Sequence, residues 1–350
     1  MRRYDLDWLR VLALGLLIIY HSVVSFQPWG HLIAFPVNKD ALEYLWIIMA
    51  AMNIWRIPIL FIISGMGLGF AIKRRNWKML LKDRSIRILV PYIFGFLAIG
   101  PLNVVLSFIF YNDMAPVYIP NPGHLWFLGN IYFYVLITLA GLVYLYNKPN
   151  NVLFRFLEAA FKKPFGIYIL ALPFLLEAWI VAPKDYHSYA DTEHGFLLGL
   201  ICFICGFIFI ALKDTFWITV EQVRKWAIGA ALLLYIIRFL IFELEGPNIL
   251  IAMESFNWMI GILGFASHYL NKPSKILQYL SRAVYPVYII HMPIQFLASI
   301  YIFDLHIPAI LKLITLILTT VGGSLLIYHF LLSRIGTIGI LFGIIHTKQD

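Results

Sequence analysis

Ten runs of about 20 mainly apolar residues recur along this chain, and they constrain its fold more than any other feature. The runs lie at residues 6–26, 42–70, 88–111, 125–147, 164–182, 195–212, 226–244, 249–270, 283–303 and 309–333. A hydrocarbon layer ~30 Å thick needs roughly 20 residues of helix to cross it. Because 61% of the 350 residues are hydrophobic and only 13% are charged, a soluble core could not hide this surface. We therefore predict an all-α polytopic membrane protein with about ten transmembrane helices.

The segments that connect these runs are short, which leaves no room for a separate soluble domain. We predict that residues 1–350 form a single transmembrane domain with no appended soluble domain. The glycine patterns that begin at Gly65 and Gly195 favour close approach of neighbouring helices, as small residues do inside membranes.

The formal net charge of +9 follows the predicted topology. Nearly all lysines and arginines lie in alternate connecting segments, including the run from Lys73 to Arg87 and Lys348 near the C-terminus, whereas Lys39 and Lys184 lie on the opposite side. Because positively charged loops are retained in the cytoplasm, both the N-terminus and the C-terminus are predicted to be cytoplasmic. We expect contact with membrane lipid and no nucleic-acid partner.

Four basic residues lie inside the apolar runs: Arg10, Arg56, Arg238 and Lys312. An arginine at the bilayer centre costs ~2.5–3.5 kcal/mol on insertion scales, so each one should face a partner or a wet cavity. Arg56 lies next to a helix-kinking proline and is expected either at such a cavity or in an ion pair with Glu254 or Glu177. We interpret Arg238 as mainly structural. Lys312 is at a helix end and is predicted to extend its ammonium group to the interface.

Arg10 and His21 lie eleven positions apart in the first apolar run. Eleven helical steps of about 100° return to nearly the same direction, so both side chains share one helix face, roughly 16 Å apart along the axis. His21 alone could be a hydrogen-bonded packing residue. Together with Arg10 it predicts a central polar channel through the bundle, which suits either a transporter or an enzyme that joins substrates from opposite sides.

Two further histidines are candidates for the same channel. His291 lies between Pro286 and Pro293, and prolines are tolerated in membrane helices mainly next to cavities or neighbouring helices. His124 opens the fourth run beside Trp126 and is either an interfacial residue or part of a substrate site.

Arg84 and Arg87 precede Pro91 at the start of the third run. Guanidinium groups bind phosphate oxygens in a bidentate manner, so this pair predicts a site for a polyphosphate, with contact to anionic lipid as the alternative. Cys202 and Cys205 lie inside an apolar run, and we interpret them as packing residues rather than metal ligands. No metal is expected.

Four motifs in chain order resemble those of the acyltransferase family 3 integral-membrane acyltransferases: Arg10-x10-His21, Arg84-x-x-Arg87 followed by Pro91-Tyr92, HLWFLGNIYFY from His124, and AVYPVYIIHMPI through His291. The stretches RRYDLDWLRVLA and WRIPILFIISG extend the resemblance over essentially the whole chain. Within the family, the pattern is similar to the branch of glucan-modifying succinyltransferases that act on osmoregulated periplasmic glucans.

The resemblance implies transfer of an acyl group, acetyl or succinyl, from cytoplasmic acyl-CoA to a hydroxyl of an extracytoplasmic glycan, at the bacterial cytoplasmic membrane. It implies a general base at His21, with Arg10 nearer the thioester and Arg56 and His291 as stabilisers of the oxyanion. The CoA phosphates would bind Arg84 and Arg87, with a further contribution from Arg10. The acceptor would be bound by His124, Trp126 and Glu254. Because the sequence has no Ser-His-Asp pattern, direct transfer is expected.

Two other functions compete with this interpretation. A transporter or exporter of a polar small molecule explains the buried charges equally well, but it gives no reason for paired arginines before the third run. A non-catalytic partner in glycan synthesis would not require the Arg10 and His21 pair.

Overall fold

A computed structural model describes residues 2–112, 117–148 and 151–344. Within these ranges the chain is helical and contains no β-strand. The all-α prediction is therefore confirmed. Lys348, one of the bases predicted on the cytoplasmic side, lies outside the described residues.

The described α-helices are α1 (Tyr4–Val24), α2 (Trp46–Ile72), α3 (Trp77–Arg84), α4 (Val90–Phe94), α5 (Gly100–Tyr111), α6 (Trp126–Tyr146), α7 (Val152–Phe161), α8 (Ala171–Val181), α9 (Glu193–Ala211), α10 (Asp214–Phe242), α11 (Asn248–Tyr269), α12 (Lys275–Ile302) and α13 (Ala309–Phe330). π-helical turns join α3 to α4 and α4 to α5, at Ser85–Leu89 and Gly95–Ile99. Short 3₁₀ helices occupy Pro28–Ile33, Glu43–Leu45, Gly123–Leu125, Pro164–Leu170, Leu332–Arg334 and Gly336–Phe342.

Nine helical stretches of the described chain are long and apolar enough to cross a membrane, which confirms a multi-pass membrane protein. The predicted run at residues 164–182 corresponds to a shorter apolar helix, Phe165–Val181. It ends at Val181 because Ala182 takes a left-handed conformation. The sides on which the termini lie and the central channel stay predictions.

The chain divides into two compact units. Unit 1 comprises Met1–Arg10, Ala50–Lys82 and Asn130–Ser274, and unit 2 comprises Val11–Met49, Asp83–Gly129 and Lys275–Asp350.

Unit 1 is held together by close helix packing at glycines. A Cβ atom on Gly65 of α2 would overlap the carbonyl oxygen of Phe203 in α9, and one on Gly206 of α9 would overlap the carbonyl oxygen of Ile62. Gly195 likewise lies directly against the Tyr189 carbonyl. The backbones therefore approach to a distance that any side chain would prevent, as the glycine patterns predict.

Unit 2 is organised around α12, which packs along α13 and against α5. Its buried apolar cluster consists of Val24, Phe35, Met292 and Phe296, with Tyr20, Trp29 and Leu106 packed against it. This cluster joins the end of α1 to the second half of α12. The packing therefore fixes the last turn of α1 against the middle of α12.

The π-helical turn Gly95–Ile99 positions a neighbouring loop of unit 2. The carbonyl of Phe96 accepts a hydrogen bond from the backbone N–H of Asn121 at 3.2 Å, and the carbonyl of Leu97 accepts one from Tyr118 Oη at 2.8 Å. π-helical turns interrupt the i→i−4 hydrogen-bond pattern, which leaves carbonyls for such partners. The loop that leads to His124 is anchored in this way.

Candidate active site

Three of the predicted histidines come together in unit 2. His21 lies in the last turn of α1, His291 lies in the middle of α12, and His124 lies in the 3₁₀ turn Gly123–Leu125. Nδ1 of His21 is 3.1 Å from Nε2 of His291, and the two rings stack with centroids 5.3 Å apart and planes within 5°. The His124 ring meets the His291 ring edge to face at 4.9 Å.

Backbone oxygens determine which ring nitrogens carry protons. Nδ1 of His291 is 2.8 Å from the carbonyl oxygen of Tyr288, which can only accept, so Nδ1 of His291 donates. Nε2 of a neutral His291 is then an acceptor, and Nδ1 of His21 must donate to it. The nitrogen of neutral His21 that bears a lone pair is consequently Nε2. The network assigns the basic nitrogen of the pair to His21.

The prolines of α12 contribute to this arrangement. Pro293 has no N–H group, so it cannot donate to the carbonyl of Ile289 one turn earlier. His124 lies against this part of the helix, where Nε2 donates to the Tyr288 carbonyl at 2.9 Å and the Ile289 carbonyl is also within reach. In return, the Tyr288 hydroxyl donates to the backbone carbonyl of His124 at 2.5 Å. One carbonyl of α12, that of Tyr288, therefore bonds both histidines, next to the carbonyl that Pro293 leaves without its helical donor.

Gln295 is a residue of this site that the sequence prediction missed. Its side chain is fully buried, and Nε2 donates to the backbone carbonyl of His21 at 2.9 Å and to Ser25 Oγ at 3.3 Å. The His21 carbonyl is one of the last four of α1, which the helix itself does not fully satisfy. Gln295 follows His291 by four positions on the same face of α12. That spacing is the sequence signal that could have identified it.

The other predicted residues of unit 2 lie on two helices. Trp126 is the first residue of α6, two positions after His124, and it is half-buried. Arg84 ends α3, and Arg87 lies within the π-helical turn Ser85–Leu89. Nε of Arg87 is 2.9 Å from Oδ1 of Asp83, so its charge is partly offset by a carboxylate.

Arg10, Arg56 and Glu254 belong to unit 1. Arg10 is in α1, and its Nη1 lies 3.2 Å from Oδ1 of Asp7. Arg56 is buried in α2, and its Nη2 lies 3.3 Å from Oδ1 of Asn53. The roles predicted for these residues stay predictions.

Glu254 forms a buried ion pair with Arg238. Arg238 Nε donates to Oε2 of Glu254 at 2.6 Å, and Nη2 donates to Oε1 at 3.1 Å. Trp258 Nε1 also donates to Oε1, at 3.3 Å. Both carboxylate oxygens are therefore used within unit 1, which gives Glu254 a structural role in addition to the substrate contact predicted for it. The structural interpretation of Arg238 agrees with these bonds.

Unit 1 holds a second buried acid, Glu177, whose Oε1 is 2.7 Å from Nδ1 of His194. The Tyr186 ring packs 4.4 Å from the His194 ring.

In the adjoining loop, Asp185 accepts hydrogen bonds from the side chain and backbone N–H of His187 and from Ser188. These bonds, that of the His187 side chain above all, hold the pKa of the Asp185 carboxyl well below its usual range. The sequence did not predict this cluster.

Lys312 departs from its prediction. Its side chain is 6% exposed, and Nζ donates to the carbonyl of Phe303 at 2.7 Å and to Oδ1 of Asn38 at 3.3 Å. The prediction that it extends to the interface is wrong, because the Phe303 carbonyl just after the end of α12 requires a donor.

Comparison with known proteins identifies the family. The acyltransferase domain of acyltransferase family 3 matches residues 3–329, nearly the whole chain. No curated protein and no solved structure shows significant similarity to it. The matched region contains α1, α12 and all three histidines of the site. The chain is a multi-pass membrane protein that belongs to acyltransferase family 3.

Proposed function

We propose that this protein is a membrane O-acyltransferase that transfers an acetyl or succinyl group from acyl-CoA to a hydroxyl of an extracytoplasmic glycan or related acceptor. The observation that carries the proposal is the hydrogen-bonded pair of His21 and His291, in which Nε2 of His21 bears the lone pair. Family membership supports the enzyme over a transporter, which the buried charges alone would also allow.

In the proposed reaction, Nε2 of His21 takes the proton of the acceptor hydroxyl. The oxygen of that hydroxyl attacks the thioester carbonyl carbon at the same time. The C–S bond then breaks, and the leaving thiolate takes the proton back from Nε2. The products are the ester and CoA, and the enzyme returns to its starting state. General base catalysis of this kind contributes about 10²–10⁴-fold to the rate.

His291 acts on His21 in this proposal as a positioning residue. Its Nε2 accepts the Nδ1 proton of His21 throughout the reaction, which fixes the ring and stabilises the imidazolium that forms. In serine hydrolases, too, a buried hydrogen-bond acceptor orients the catalytic histidine. Since Nδ1 of His291 is committed to the Tyr288 carbonyl, this arrangement leaves no N–H of His291 for an oxyanion. The oxyanion role expected for Arg56 from the sequence stays a prediction.

The arginines of α3 and the following π-helical turn are proposed to bind the CoA phosphates. Arg84 and Arg87 lie at the start of the third membrane-spanning stretch and are half-buried, which favours charge-assisted bonds over fully exposed ones. Arg87 would share its guanidinium between Asp83 and the donor. The bacterial cytoplasmic membrane and the glucan-succinylating branch of the family are part of the proposal.

A deletion strain of the source organism tests this function. Mass spectrometry would compare surface and periplasmic glycans after complementation with the wild type or with His21→Ala, at equal protein in the membrane. The proposal predicts an ester mass that the wild type restores and His21→Ala does not, and that mass names the acyl group. Full restoration by His21→Ala would exclude His21 as the base. An ester pattern independent of the protein would exclude the acyltransferase function proposed here.

A further inference from the structure

Two buried side chains of unit 2 have polar atoms without a hydrogen-bond partner. Asn103 in α5 is 6% exposed, and neither Oδ1 nor Nδ2 of its amide is bonded. His124 is 9% exposed, and its Nδ1 is likewise unbonded. An unsatisfied polar atom in a membrane interior is costly. A ligand that bonded these atoms would remove that cost.

Asn103 lies next to the turn that carries His124, because α5 packs against the 3₁₀ turn Gly123–Leu125. A Cβ atom on Gly123 would lie 3.7 Å from Nδ2 of Asn103 and 3.5 Å from Oδ1 of Asn121. His124 is the next residue, and consecutive Cα atoms are only 3.8 Å apart. Gly123 has a φ of +47°, a conformation that residues with side chains rarely adopt. A side chain at position 123 would therefore contact the Asn103 amide, and glycine leaves that side of the amide uncovered.

The hydrogen-bonding groups define the chemistry of the ligand. Because Nε2 of His124 donates to the Tyr288 carbonyl, Nδ1 of neutral His124 accepts and needs a donor. The Asn103 amide needs an acceptor for Nδ2 and a donor for Oδ1. A carboxylate has no proton for Nδ1 or Oδ1, and an ammonium group has no acceptor for Nδ2. Two neighbouring hydroxyl groups satisfy all three atoms.

We propose that Asn103 and His124 bind two adjacent hydroxyl groups of a neutral polyol, beside the His21–His291 pair. This inference rests on the proposed function, since it names the residues that present the acceptor to the base. His124 meets the His291 ring at 4.9 Å, so a hydroxyl on Nδ1 of His124 lies within the same cluster as the base. Asn103 then determines that the acceptor must be a polyol.

Direct binding tests the inference. Purified full-length protein in lipid nanodiscs would be studied by saturation-transfer NMR with methyl β-D-glucopyranoside, and with cyclohexanol and cyclohexanecarboxylate as single-hydroxyl and anionic probes. We expect the glucoside to bind, the other two to bind at least about tenfold more weakly, and Asn103→Leu to weaken glucoside binding at least about tenfold. Ser324→Ala is the matched control, because Ser324 Oγ is also buried and unbonded in unit 2. It should bind within twofold of the wild type.

Thermal melting distinguishes a role of Asn103 in ligand binding from a role in folding. Leucine replaces an amide that makes no bond, so Asn103→Leu should melt at or above the wild-type temperature. A lower melting temperature with unchanged glucoside binding would make Asn103 a structural residue and overturn the inference. Equal binding of all three probes by the wild type would overturn it as well.

The same preparation distinguishes this inference from the proposed function. Release of CoA from acetyl-CoA and succinyl-CoA by the wild type reports the acyltransferase. If CoA is released and Asn103→Leu binds the glucoside normally, the polyol site is wrong and the enzyme stands. If no CoA is released but glucoside binding depends on Asn103, the site stands and the proposed reaction is wrong.

Discussion

Two buried pairs show how differently this protein uses polar groups inside the membrane. In unit 1, Arg238 and Glu254 are fully buried, and further bonds reach the carbonyls of Leu244 and Ala50 and the indole of Trp258. In unit 2, His21 and His291 make a neutral pair held by the Tyr288 carbonyl. The first pair consists of opposite charges, whereas the second consists of two hydrogen-bonded imidazole rings.

The difference separates a structural role from a chemical one. A buried ion pair whose hydrogen-bonding capacity is used within the protein has little left for a substrate, and breaking it leaves an uncompensated charge. The histidine pair consists of imidazole rings, which act as general bases when their position allows it. Substitutions should therefore affect stability at the first pair and rate at the second.

The largest effect is expected at the base. His21→Ala should lower acyl transfer by about 10²–10⁴-fold, because it removes the nitrogen proposed to take the hydroxyl proton. The melting temperature of the purified protein should change little, since His21 is only half-buried. Transfer rates and thermal melting, measured on one preparation, check both statements. If His21→Ala lowered both the rate and the melting temperature, His21 would have a structural role, and the contrast with the Arg238–Glu254 ion pair would be wrong.

Breaking the ion pair should act on stability. Arg238→Met leaves Glu254 buried without its cation and should cost about 3–5 kcal/mol of unfolding free energy. The double variant Arg238→Met with Glu254→Leu should recover most of that loss, because it removes both charges. Unfolding in mixed micelles measures each variant. A double variant as unstable as the single one would mean that the ion pair itself, rather than the orphaned charge, stabilises unit 1.

The positioning role of His291 predicts an intermediate effect. His291→Leu removes an acceptor that bonds a developing cation, worth about 1.5–3 kcal/mol, so transfer should fall about 10–100-fold. His291→Gln keeps an amide oxygen that can accept from Nδ1 of His21 and should retain more activity. If the two variants have equal rates, the hydrogen bond to His21 does not matter and only the packing of the ring does.

The smallest effect is expected at Gln295. Gln295→Leu removes the neutral hydrogen bond to the His21 carbonyl, which holds the base and is worth about 1 kcal/mol, so transfer should fall about fivefold. The change should appear in kcat rather than in the KM for the acceptor, because Gln295 holds the base and not the substrate. A raised KM at unchanged kcat would assign Gln295 to substrate binding instead.

The sequence predicts the membrane fold well because lipid imposes a simple rule on it. Each apolar run must be about one bilayer long, and nine of the predicted runs correspond to spanning stretches of the described chain. The run at 164–182 corresponds to the shorter apolar helix Phe165–Val181, which ends before the left-handed turn at Ala182. Hydropathy does not register such backbone terminations.

The site is predictable only in part. The prolines around His291 and the spacing of Arg10 and His21 are visible in the sequence. The hydrogen bond between His21 and His291 is not, because it joins residues 270 positions apart and depends on how α1 packs on α12. Lys312 shows the same limit. Its partner, the Phe303 carbonyl, is set by tertiary packing, so the side chain alone predicts a different role.

The most direct measurement is the rate of CoA release by purified protein in nanodiscs, from acetyl-CoA and from succinyl-CoA, with a polyol acceptor present. Wild type would be compared with His21→Gln, which keeps the size and polarity of the side chain but has no basic nitrogen. The account predicts release by the wild type with at least one donor, and a loss of about 10²-fold or more in His21→Gln. Equal rates for the two proteins would contradict the assignment of His21 as the base.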